Sequence, residues 1–210
     1  MEAIKIFDGA WHLPGALSLF EQKRLVKIYK AMQMDMYVPK VKSGNYMNLQ
    51  MNCLGWHWNA VDYKYHQVRT EIDDQPVKPI HSELIRIAKQ PSEQLFPYHN
   101  PSWDICLCNY YGPGSTLGLH KDNSESEKAL AIGHPVVSFS VGASCIFRVG
   151  GLTRSAPSQD IRLKSGDIFI FGEESRLRLH GITKIFSNEA RIPFGKSLGN
   201  GRINFTLRKL

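Results

Sequence analysis

His120, Asp122 and His180 are the residues whose types and spacing point most directly to chemistry. Residues two apart in an extended strand point to the same face, so His120 and Asp122 can offer an imidazole and a carboxylate to one point in space. A second imidazole, from His180, would complete a two-histidine, one-carboxylate triad. That ligand set suits non-haem Fe(II), because it covers one face of an octahedron and leaves positions open for a cosubstrate and dioxygen.

The C-terminal segment suggests an anion site beside such a metal. Residues 202–208 alternate, so that Arg202, Asn204, Thr206 and Arg208 share one face of a predicted strand. Two guanidinium groups on an inward face are costly to bury without partners. A planar guanidinium binds a carboxylate through two hydrogen bonds, so a dicarboxylate held by the two arginines is one solution. Pairing of both arginines with internal Asp or Glu side chains is the alternative, and the sequence leaves both open.

Two helices and a longer mixed segment are predicted in the first half of the chain. Apolar residues recur with helical spacing from Ser18 to Met34, and Ser18 with Glu21 forms a possible capping box. A shorter helix is predicted over residues 82–89, with Pro91 ending it. Residues 37–78 show no clean helical period and are predicted to form strands and mobile loops.

The second half has the pattern of an all-β unit. Short runs rich in β-branched and aromatic residues are separated by turn signals, and they predict strands at 104–111, 117–122, 135–142, 144–149, 159–163, 167–171, 177–183 and 201–208. Eight such strands fit a double-stranded β-helix, or jelly roll, with a site between its sheets. Residues 184–201 are predicted to form a loop before the last strand. The expected fold class is α+β, mainly β, with an N-terminal extension over residues 1–100 and a catalytic core over 101–210, packed as one unit.

The amino-acid composition limits the kinds of binding partner and the cellular compartment that we expect for this protein. Lys and Arg number 26 against 19 Asp and Glu, a net charge of +7 that favours a polyanion such as nucleic acid. The four cysteines lie in apolar contexts and are expected to be reduced. No run approaches the roughly 18 apolar residues of a membrane span, and no secretory leader is apparent. The expectation is an intracellular, cytoplasmic, soluble monomer with no membrane partner.

Several segments in a fixed order resemble the AlkB-type Fe(II)/2-oxoglutarate dioxygenases, a family that acts on alkylated nucleic acids. The resemblance covers most of residues 53–208. It rests on the segments NYYGPG at 109–114, LHKD at 119–122, GGLTR at 150–154, SGD at 165–167, GEESR at 172–176, HG at 180–181 and RINFTLR at 202–208. No single segment is specific, but their combination in this order is.

The resemblance implies a role for each matching residue. It implies that His120, Asp122 and His180 bind Fe(II) and carry catalysis. The cosubstrate 2-oxoglutarate would be held at its distal carboxylate by Arg202 and Tyr111, with Asn109, Asn204 and Arg208 near its keto-acid end. Trp56 and Tyr63 would be the gripping aromatics of a nucleotide-recognition lid, with Trp56 stacked on the damaged base, whereas Trp58 is interpreted as ordinary packing.

Two positions depart from the family's best-known bacterial member. Ser124 stands where that member has an acidic residue, which puts the preferred lesion in doubt, and Phe171 stands where it has a tryptophan. Arg154 and Arg176 keep positions that the family uses near the substrate. Lys40, Lys42, Lys64 and Arg69 are expected to attract phosphates.

The predicted activity is oxidative demethylation of bases such as 1-methyladenine and 3-methylcytosine in DNA and possibly RNA. The reaction would use Fe(II), dioxygen and 2-oxoglutarate, and it would release succinate, carbon dioxide and formaldehyde. Two alternatives stay open. The same iron chemistry could act on a small molecule or a protein side chain, or the chain could be a metal-free nucleic-acid-binding module, since a fold does not dictate function.

Overall fold

The computed structural model describes residues 2–189 and 196–210. The helices in these residues are α1 (Leu19–Ala31), α2 (Ser82–Leu95) and α3 (Glu127–Ile132). The strands are β1 (Ile4–Phe7), β2 (Ala10–Leu13), β3 (Gln50–Leu54), β4 (His57–Asn59), β5 (Lys64–His66), β6 (Ile105–Tyr111), β7 (Leu117–His120), β8 (Val136–Gly142), β9 (Ser144–Val149), β10 (Gln159–Leu163), β11 (Ile168–Phe171), β12 (His180–Phe186) and β13 (Arg202–Arg208). The mainly β class predicted from the sequence is confirmed.

The eight predicted strands correspond to β6 through β13, with small differences at their ends. β7 ends at His120 rather than at residue 122, and β12 begins at His180 rather than at residue 177 and continues to Phe186. The loop predicted from residue 184 therefore starts later, because Lys184, Ile185 and Phe186 pair with β9. Residues 190–195 of that predicted loop lie outside the described residues.

Two antiparallel sheets form the jelly roll. The larger sheet has the order β1-β2-β11-β8-β13-β6-β3, and the smaller one β10-β9-β12-β7, so each receives four of the eight core strands. Their inner faces share one apolar cluster, in which the ring of Phe147 on β9 lies 4.9 Å from that of Phe169 on β11. The predicted double-stranded β-helix is confirmed, and the space between its sheets is where a site can be built.

Helices α1 and α2 cover the outer face of the larger sheet. Leu25 and Tyr29 of α1 and Leu84 of α2 pack in one cluster with Phe139 and Phe205 of the sheet. The predicted capping box is present, since Ser18 Oγ accepts a hydrogen bond from the Glu21 backbone N–H and the Glu21 carboxylate accepts one from the Ser18 N–H. This layer leaves the inner face of the sheet free for the site.

The prediction that Pro91 ends the second helix is wrong. α2 continues through Pro91 to Leu95. Proline removes one backbone hydrogen bond from a helix interior, but Pro91 and Ser92 are buried on the same face as Ile87 and Ala88. Tertiary packing of that apolar face stabilises the last turn more than the missing bond destabilises it.

The N-terminal part contributes strands as well as helices. β1 and β2 extend the larger sheet at one edge and β3 extends it at the other, so the described N-terminal strands continue the sheet of the core. A division of the chain near residue 100 stays a prediction. Within the segment predicted to hold strands and loops, β4 and β5 pair as a hairpin, residues 57–66, which we call the lid hairpin.

Candidate metal centre and the two adjoining pockets

His120, Asp122 and His180 converge at one end of the smaller sheet. β7 and β12 are paired so that His120 lies opposite His180, and the two imidazole centroids are 4.5 Å apart. The close approach of these strands requires glycine at position 181, where a Cβ atom would lie 2.5 Å from the Leu117 carbonyl oxygen. Asp122 lies just beyond the end of β7, in the segment after the strand, and its carboxylate still turns toward both histidines.

The distances within this group suit a metal ion. His120 Nε2 lies 3.5 Å from Asp122 Oδ1, and His180 Nε2 lies 3.5 Å from Asp122 Oδ2. One ligand atom from each residue lies within 4.8 Å of the others, and among the described residues this is the one group of three or more such side chains. The donor set, two imidazoles and one carboxylate, fits Fe(II) with positions left open.

The backbone fixes both imidazoles in the tautomer that binds a metal through Nε2. His120 Nδ1 lies 2.9 Å from the Gly118 carbonyl oxygen, and His180 Nδ1 lies 3.0 Å from that of Arg178. A carbonyl oxygen only accepts, so each Nδ1 must carry the proton and each Nε2 keeps its lone pair. Such carbonyl partners orient metal-ligating histidines.

The electrostatics favour the protonation states that ligands need. Burial alone would raise the pKa of Asp122, but Arg208 and His180 beside it hold the pKa well below its ordinary value. Arg208 Nη2 lies 2.7 Å from Asp122 Oδ1. Burial lowers the pKa of His180, with Asp122 opposing the shift. A carboxylate and a neutral imidazole are therefore the forms present at neutral pH.

A cavity lies between the sheets next to these residues, and we call it the inter-sheet pocket. The polar side chains lining it include Asn109, Tyr111, His120, Asp122, Ser138, His180, Arg202, Asn204, Thr206 and Arg208. The predicted alternation of the last strand is confirmed, because its polar residues line this pocket while Ile203, Phe205 and Leu207 pack in the cluster beneath the helices.

Arg202 is the residue whose surroundings most clearly favour an anionic ligand. Its side chain is fully buried, and it donates from Nη2 to Ser140 Oγ at 2.7 Å. Its Nε and Nη1 have no hydrogen-bond partner among the described residues. Unpaired guanidinium donors in a buried pocket are costly unless an anion accepts from them. The alternative of pairing with an internal carboxylate is thus not what this arginine does, and a ligand carboxylate fits the unpaired donors.

The other predicted cosubstrate residues divide into two kinds. Tyr111 lies opposite Arg202 in the strand register, with the guanidinium 5.8 Å from its ring centre. Asn109 Oδ1 is unpaired among the described atoms, so it has a free acceptor in the pocket. Asn204 already donates to Ser138 Oγ at 2.7 Å and to the Phe139 carbonyl at 2.8 Å. Because its amide group is engaged with β8, Asn204 mainly supports the wall of the pocket.

A second and wider space opens on the outer side of the triad, beneath the lid hairpin, and we call it the lid cleft. It shares Asn109, Leu117, His120, Asp122 and Arg208 with the inter-sheet pocket. Its other lining residues are Val41, Met47, Met51, Trp58, Tyr63, Leu107, Lys121, Asn123, Ser124, Arg154 and Leu179. A molecule in this cleft would meet His120 and Asp122, whereas Arg202 lines the inter-sheet pocket and not the cleft.

The predicted substrate residues are only partly in the cleft. Tyr63, Ser124 and Arg154 line it. Phe171 lines the inter-sheet pocket, with its ring 5.1 Å from that of His180. Arg176 is buried and pairs with Glu125 at 3.0 Å, so it supports the segment after β7 from within.

The tryptophans at positions 56 and 58 differ from the sequence interpretation in one respect. Trp56 and Trp58 are both half-buried against the inner cluster, as the interpretation of Trp58 as ordinary packing predicts, but of the two Trp58 also lines the cleft. Trp58 also donates from Nε1 to Ser124 Oγ at 3.1 Å, and its ring centre lies 6.0 Å from that of Tyr63. The geometry therefore favours Trp58 over Trp56 as the aromatic wall. In β4 the half-buried Trp58 lies between the buried His57 and Asn59, and a strand of three residues gives the sequence too few positions to predict which face points to the cleft.

Tyr65 and Glu125 are residues that the sequence interpretation missed. Tyr65 on the lid hairpin donates to Glu125 at 3.0 Å, and Arg208 Nη1 donates to Tyr65 Oη at 3.0 Å. Arg208 contacts Asp122 as well. One chain of polar contacts therefore connects the hairpin to Asp122, one of the candidate metal ligands.

The base of the lid is held by buried polar contacts. The Glu71 carboxylate accepts from His57 Nε2 and, at 2.9 Å, from Asn59 Nδ2. Arg69, which was expected to attract phosphates, is instead buried, pairs with Asp73 and donates to Asn52 Oδ1 at 3.2 Å. That expectation is wrong, because a guanidinium committed to internal partners is not available to a phosphate. Lys40, Lys42 and Lys64 are exposed as expected.

Residues 9–208 match the family described as the 2OG-Fe(II) oxygenase superfamily. The chain belongs to this superfamily. It is an AlkB-type 2OG oxygenase: it is 36% identical to the AlkB dioxygenase of Salmonella typhimurium over 80% of this chain and 75% of that protein. The predicted family, and Fe(II) and 2-oxoglutarate as its cofactors, are confirmed.

The chain is also similar to several proteins named ALKBH1. The chain is 35% identical to the DNA N(6)-methyladenine demethylase ALKBH1D of Arabidopsis thaliana, over 82% of this chain and 42% of that protein. It spans about half the length of the plant relatives, 42% of one and 51% of another. The solved structure of OsALKBH1 superimposes with a TM-score of 0.89 at 29% identity and covers 100% of both chains.

No helix of the described residues is long and apolar enough to cross a bilayer.

Proposed function

We propose that this AlkB-type chain is an Fe(II)- and 2-oxoglutarate-dependent dioxygenase that removes alkyl groups from bases of nucleic acids. One observation carries the proposal. Two of the three candidate ligands, His120 and Asp122, line both a pocket with an unpaired buried arginine and a wider cleft lined by the rings of Trp58 and Tyr63. A cosubstrate in the pocket and a substrate in the cleft can therefore both reach the candidate metal site.

In the proposed site, His120, Asp122 and His180 hold the iron. Arg202 and Tyr111 bind the distal carboxylate of 2-oxoglutarate, and Asn109, Asn204 and Arg208 lie near its keto-acid end. When bound, iron and 2-oxoglutarate supply the oxidation of an N-methyl carbon by dioxygen, with release of succinate and carbon dioxide. The resulting hydroxymethyl group leaves as formaldehyde. The C–N bond breaks, and the hydroxyl proton is transferred to the base nitrogen.

The chain's own residues exclude water and position the base. The lid hairpin covers the cleft, and Trp58 and Tyr63 offer faces on which a flipped base can stack. Phe171 closes the inter-sheet pocket beside His180. Exposed Lys40, Lys42 and Lys64, together with the net charge of +7, supply attraction to phosphates that does not depend on sequence.

Relatives with two kinds of substrate support nucleic acid as the substrate class. Beside the plant DNA demethylase, the tRNA demethylase abh1 of Schizosaccharomyces pombe is 33% identical over 51% of this chain. Because both nucleic acids occur among relatives, the proposal covers alkylated bases in DNA and RNA. We propose that the chain works as a monomer, since one chain supplies all the residues described at the triad and both pockets.

The proposal is tested by incubation with Fe(II), 2-oxoglutarate and single-stranded DNA or RNA oligonucleotides carrying a panel of methylated bases. Mass spectrometry should show unmodified base, and formaldehyde and succinate should form in equal amounts. Turnover of 2-oxoglutarate with every methylated base left intact would remove nucleic acid as the substrate. In that case small molecules and protein side chains become the candidates, and nucleic-acid binding should then lack a steep dependence on salt.

A further inference from the structure

A third concave region lies among the elements that cover the outer face of the larger sheet, and we call it the helix cleft. It is bounded by the face of α1 that carries Phe20, Lys27 and Ala31, by Leu54 at the end of β3, and by residues 78–81, which lead into α2. None of its lining residues lines the inter-sheet pocket or the lid cleft. The helix cleft is therefore separate from the proposed active site.

The surface of the helix cleft is largely apolar. Met32 and Leu54 are buried within it, whereas Phe20, in the first turn of α1, keeps 65% of its surface exposed. The guanidinium of Arg24 lies 5.5 Å from the centre of the Phe20 ring. A large aromatic side chain left in water beside an apolar concavity, with an arginine next to it, is typical of a protein-binding surface.

The helix cleft also has an excess of positive charge. Arg24, Lys27 and Lys78 line it, and no Asp or Glu is among its lining residues. Arg24 pairs with Glu83, and Lys78 pairs with Asp35. Lys27, in contrast, has no ion-pair partner among the described residues. A ligand with a carboxylate could therefore pair with Lys27 without displacing an internal partner.

Two further lysines extend this charge along α1. Lys23 lies four residues before Lys27 and Lys30 three residues after it, so the three side chains are neighbours on the helix surface. All three are exposed, and neither Lys23 nor Lys30 has an ion-pair partner in the part of the chain that the structure describes. Like charges at these spacings slightly destabilise a helix. Carboxylates of a bound partner would remove that repulsion.

We propose that the helix cleft is a docking site for an acidic segment of a partner protein. Apolar side chains of the segment pack on the floor of the cleft beside Phe20, and its carboxylates pair with the lysine row of α1. Nucleic acid is the less suitable occupant, because grooves for single strands stack bases on several aromatic rings, whereas this lining is mostly aliphatic, with Ile28, Leu54 and Ile80. The docking site does not depend on the proposed function, and a partner bound there leaves the lid cleft open.

Selection of random peptides on the full chain tests the docking site. A phage-displayed peptide library is selected on the immobilised protein, and the enriched peptides are synthesised with a fluorescein label for anisotropy titration. The enriched peptides should combine several Asp or Glu residues with at least two large apolar residues. Their affinity should decrease as the salt concentration rises, because exposed ion pairs are screened.

Three substitutions in the helix cleft should weaken binding of the selected peptides. Lys27→Glu should raise the Kd about three- to tenfold, because it replaces an attraction at the rim by a repulsion. Phe20→Ser should raise the Kd at least about tenfold, as loss of an aromatic anchor does. Ala31→Arg, which adds a long side chain in the cleft without removing an apolar contact or a lysine, should also weaken binding.

The matched control is Lys128→Glu, the same charge reversal at an exposed lysine of α3, which should leave the Kd of the peptides unchanged. The substituted positions are exposed, so the variants should fold, and thermal unfolding checks this. Lys27→Glu should also leave kcat/KM for a methylated oligonucleotide unchanged. Absence of dealkylation by the unmodified protein would remove the proposed function and leave the docking site standing.

Four results would overturn the docking site. Selection could enrich neutral or basic peptides as often as acidic ones, or the acidic peptides could bind the Lys27→Glu and Ala31→Arg variants as tightly as the unmodified protein. Lys27→Glu could instead weaken binding of single-stranded DNA about tenfold with peptide binding unchanged, which would make the helix cleft a path for nucleic acid. Sedimentation velocity could show a dimer that Lys27→Glu dissociates, and the occupant would then be a second copy of this chain.

Discussion

The inter-sheet pocket and the lid cleft share His120 and Asp122 but are constructed differently. The pocket is lined by residues of paired strands, and its position is set by the register of β13 with β6 and β8. The cleft is closed by a three-residue hairpin ladder and by loops fastened through side-chain contacts such as His57 with Glu71. Strand register tolerates few alternatives, whereas loops on a scaffold vary freely.

This difference suggests a structural reason why cosubstrate binding and substrate binding are assigned to different parts of the molecule. In the proposed function, the part that binds the cosubstrate lies between the paired strands of the two sheets. The part that meets the substrate lies in segments that can be exchanged without disturbing the core. If the comparison is right, changes on one side should leave the other side's binding intact.

The largest effect is expected from Asp122→Asn. The amide keeps the shape of the side chain but removes the charge that faces both histidines and Arg208. Metal affinity and turnover should fall by more than about a hundredfold, above what loss of a group that merely supports a ligand costs. Calorimetric titration with Mn²⁺ measures the first. Asp160→Asn is the control, because that exposed carboxylate pairs with Arg148 and should leave metal binding unchanged.

A change at the far end of the inter-sheet pocket should be selective for the cosubstrate. Arg202→Met removes the unpaired donors and should raise the KM for 2-oxoglutarate about ten- to a hundredfold, the range for a hydrogen bond to a charged group. The Kd for a methylated oligonucleotide should not change. Arg148→Met, at an exposed arginine, is the matched control. An equal loss of oligonucleotide affinity in the Arg202 variant would contradict the separation of the two sides.

The reciprocal experiment loosens the lid. The Glu71 carboxylate accepts hydrogen bonds from both His57 and Asn59. In Glu71→Gln, one of the two accepting oxygens is replaced by an NH2 group, which can only donate. We expect the KM for the oligonucleotide to rise about three- to tenfold, as for one weakened hydrogen bond, with the KM for 2-oxoglutarate unchanged. Glu93→Gln, at an exposed position of α2, should change neither. A rise in both KM values would show that the hairpin also supports the inter-sheet pocket.

The smallest effect is expected at the exposed lysines. Lys40→Gln and Lys42→Gln should each weaken oligonucleotide binding slightly and reduce the slope of log affinity against log salt by about 0.7, the value for one phosphate contact on a single strand. Fluorescence anisotropy at several salt concentrations measures the slope. Lys89→Gln on α2 is the control. Unchanged slopes would show that the phosphates of the oligonucleotide contact a different part of the surface.

The contrast between pocket and cleft also explains what the sequence could predict. The strands around the inter-sheet pocket are periodic, so the alternation of residues 202–208 is enough to place Arg202 and Arg208 on the inner face. Order and spacing are also enough to bring His120, Asp122 and His180 together, because the jelly roll pairs β7 with β12.

The lid was not predictable in the same way. Trp56 and Trp58 are two residues apart with Gly55 before them, and the hairpin that decides which ring faces the cleft has three residues in each strand. Arg69 looked like a surface charge, because nothing in its neighbourhood shows that Asp73 and Asn52 would enclose it. Helix α2 passing through Pro91 depends in the same way on distant packing.

The central claim is that three separated side chains hold one metal ion beside a 2-oxoglutarate fixed by Arg202. Anomalous diffraction from a crystal grown with Mn²⁺ and 2-oxoglutarate tests it most directly. We predict one anomalous peak bonded to His120 Nε2, His180 Nε2 and an Asp122 oxygen, with the distal carboxylate of 2-oxoglutarate on Arg202 Nε and Nη1. A metal bound elsewhere, or a cosubstrate that leaves those two donors unpaired, would contradict it.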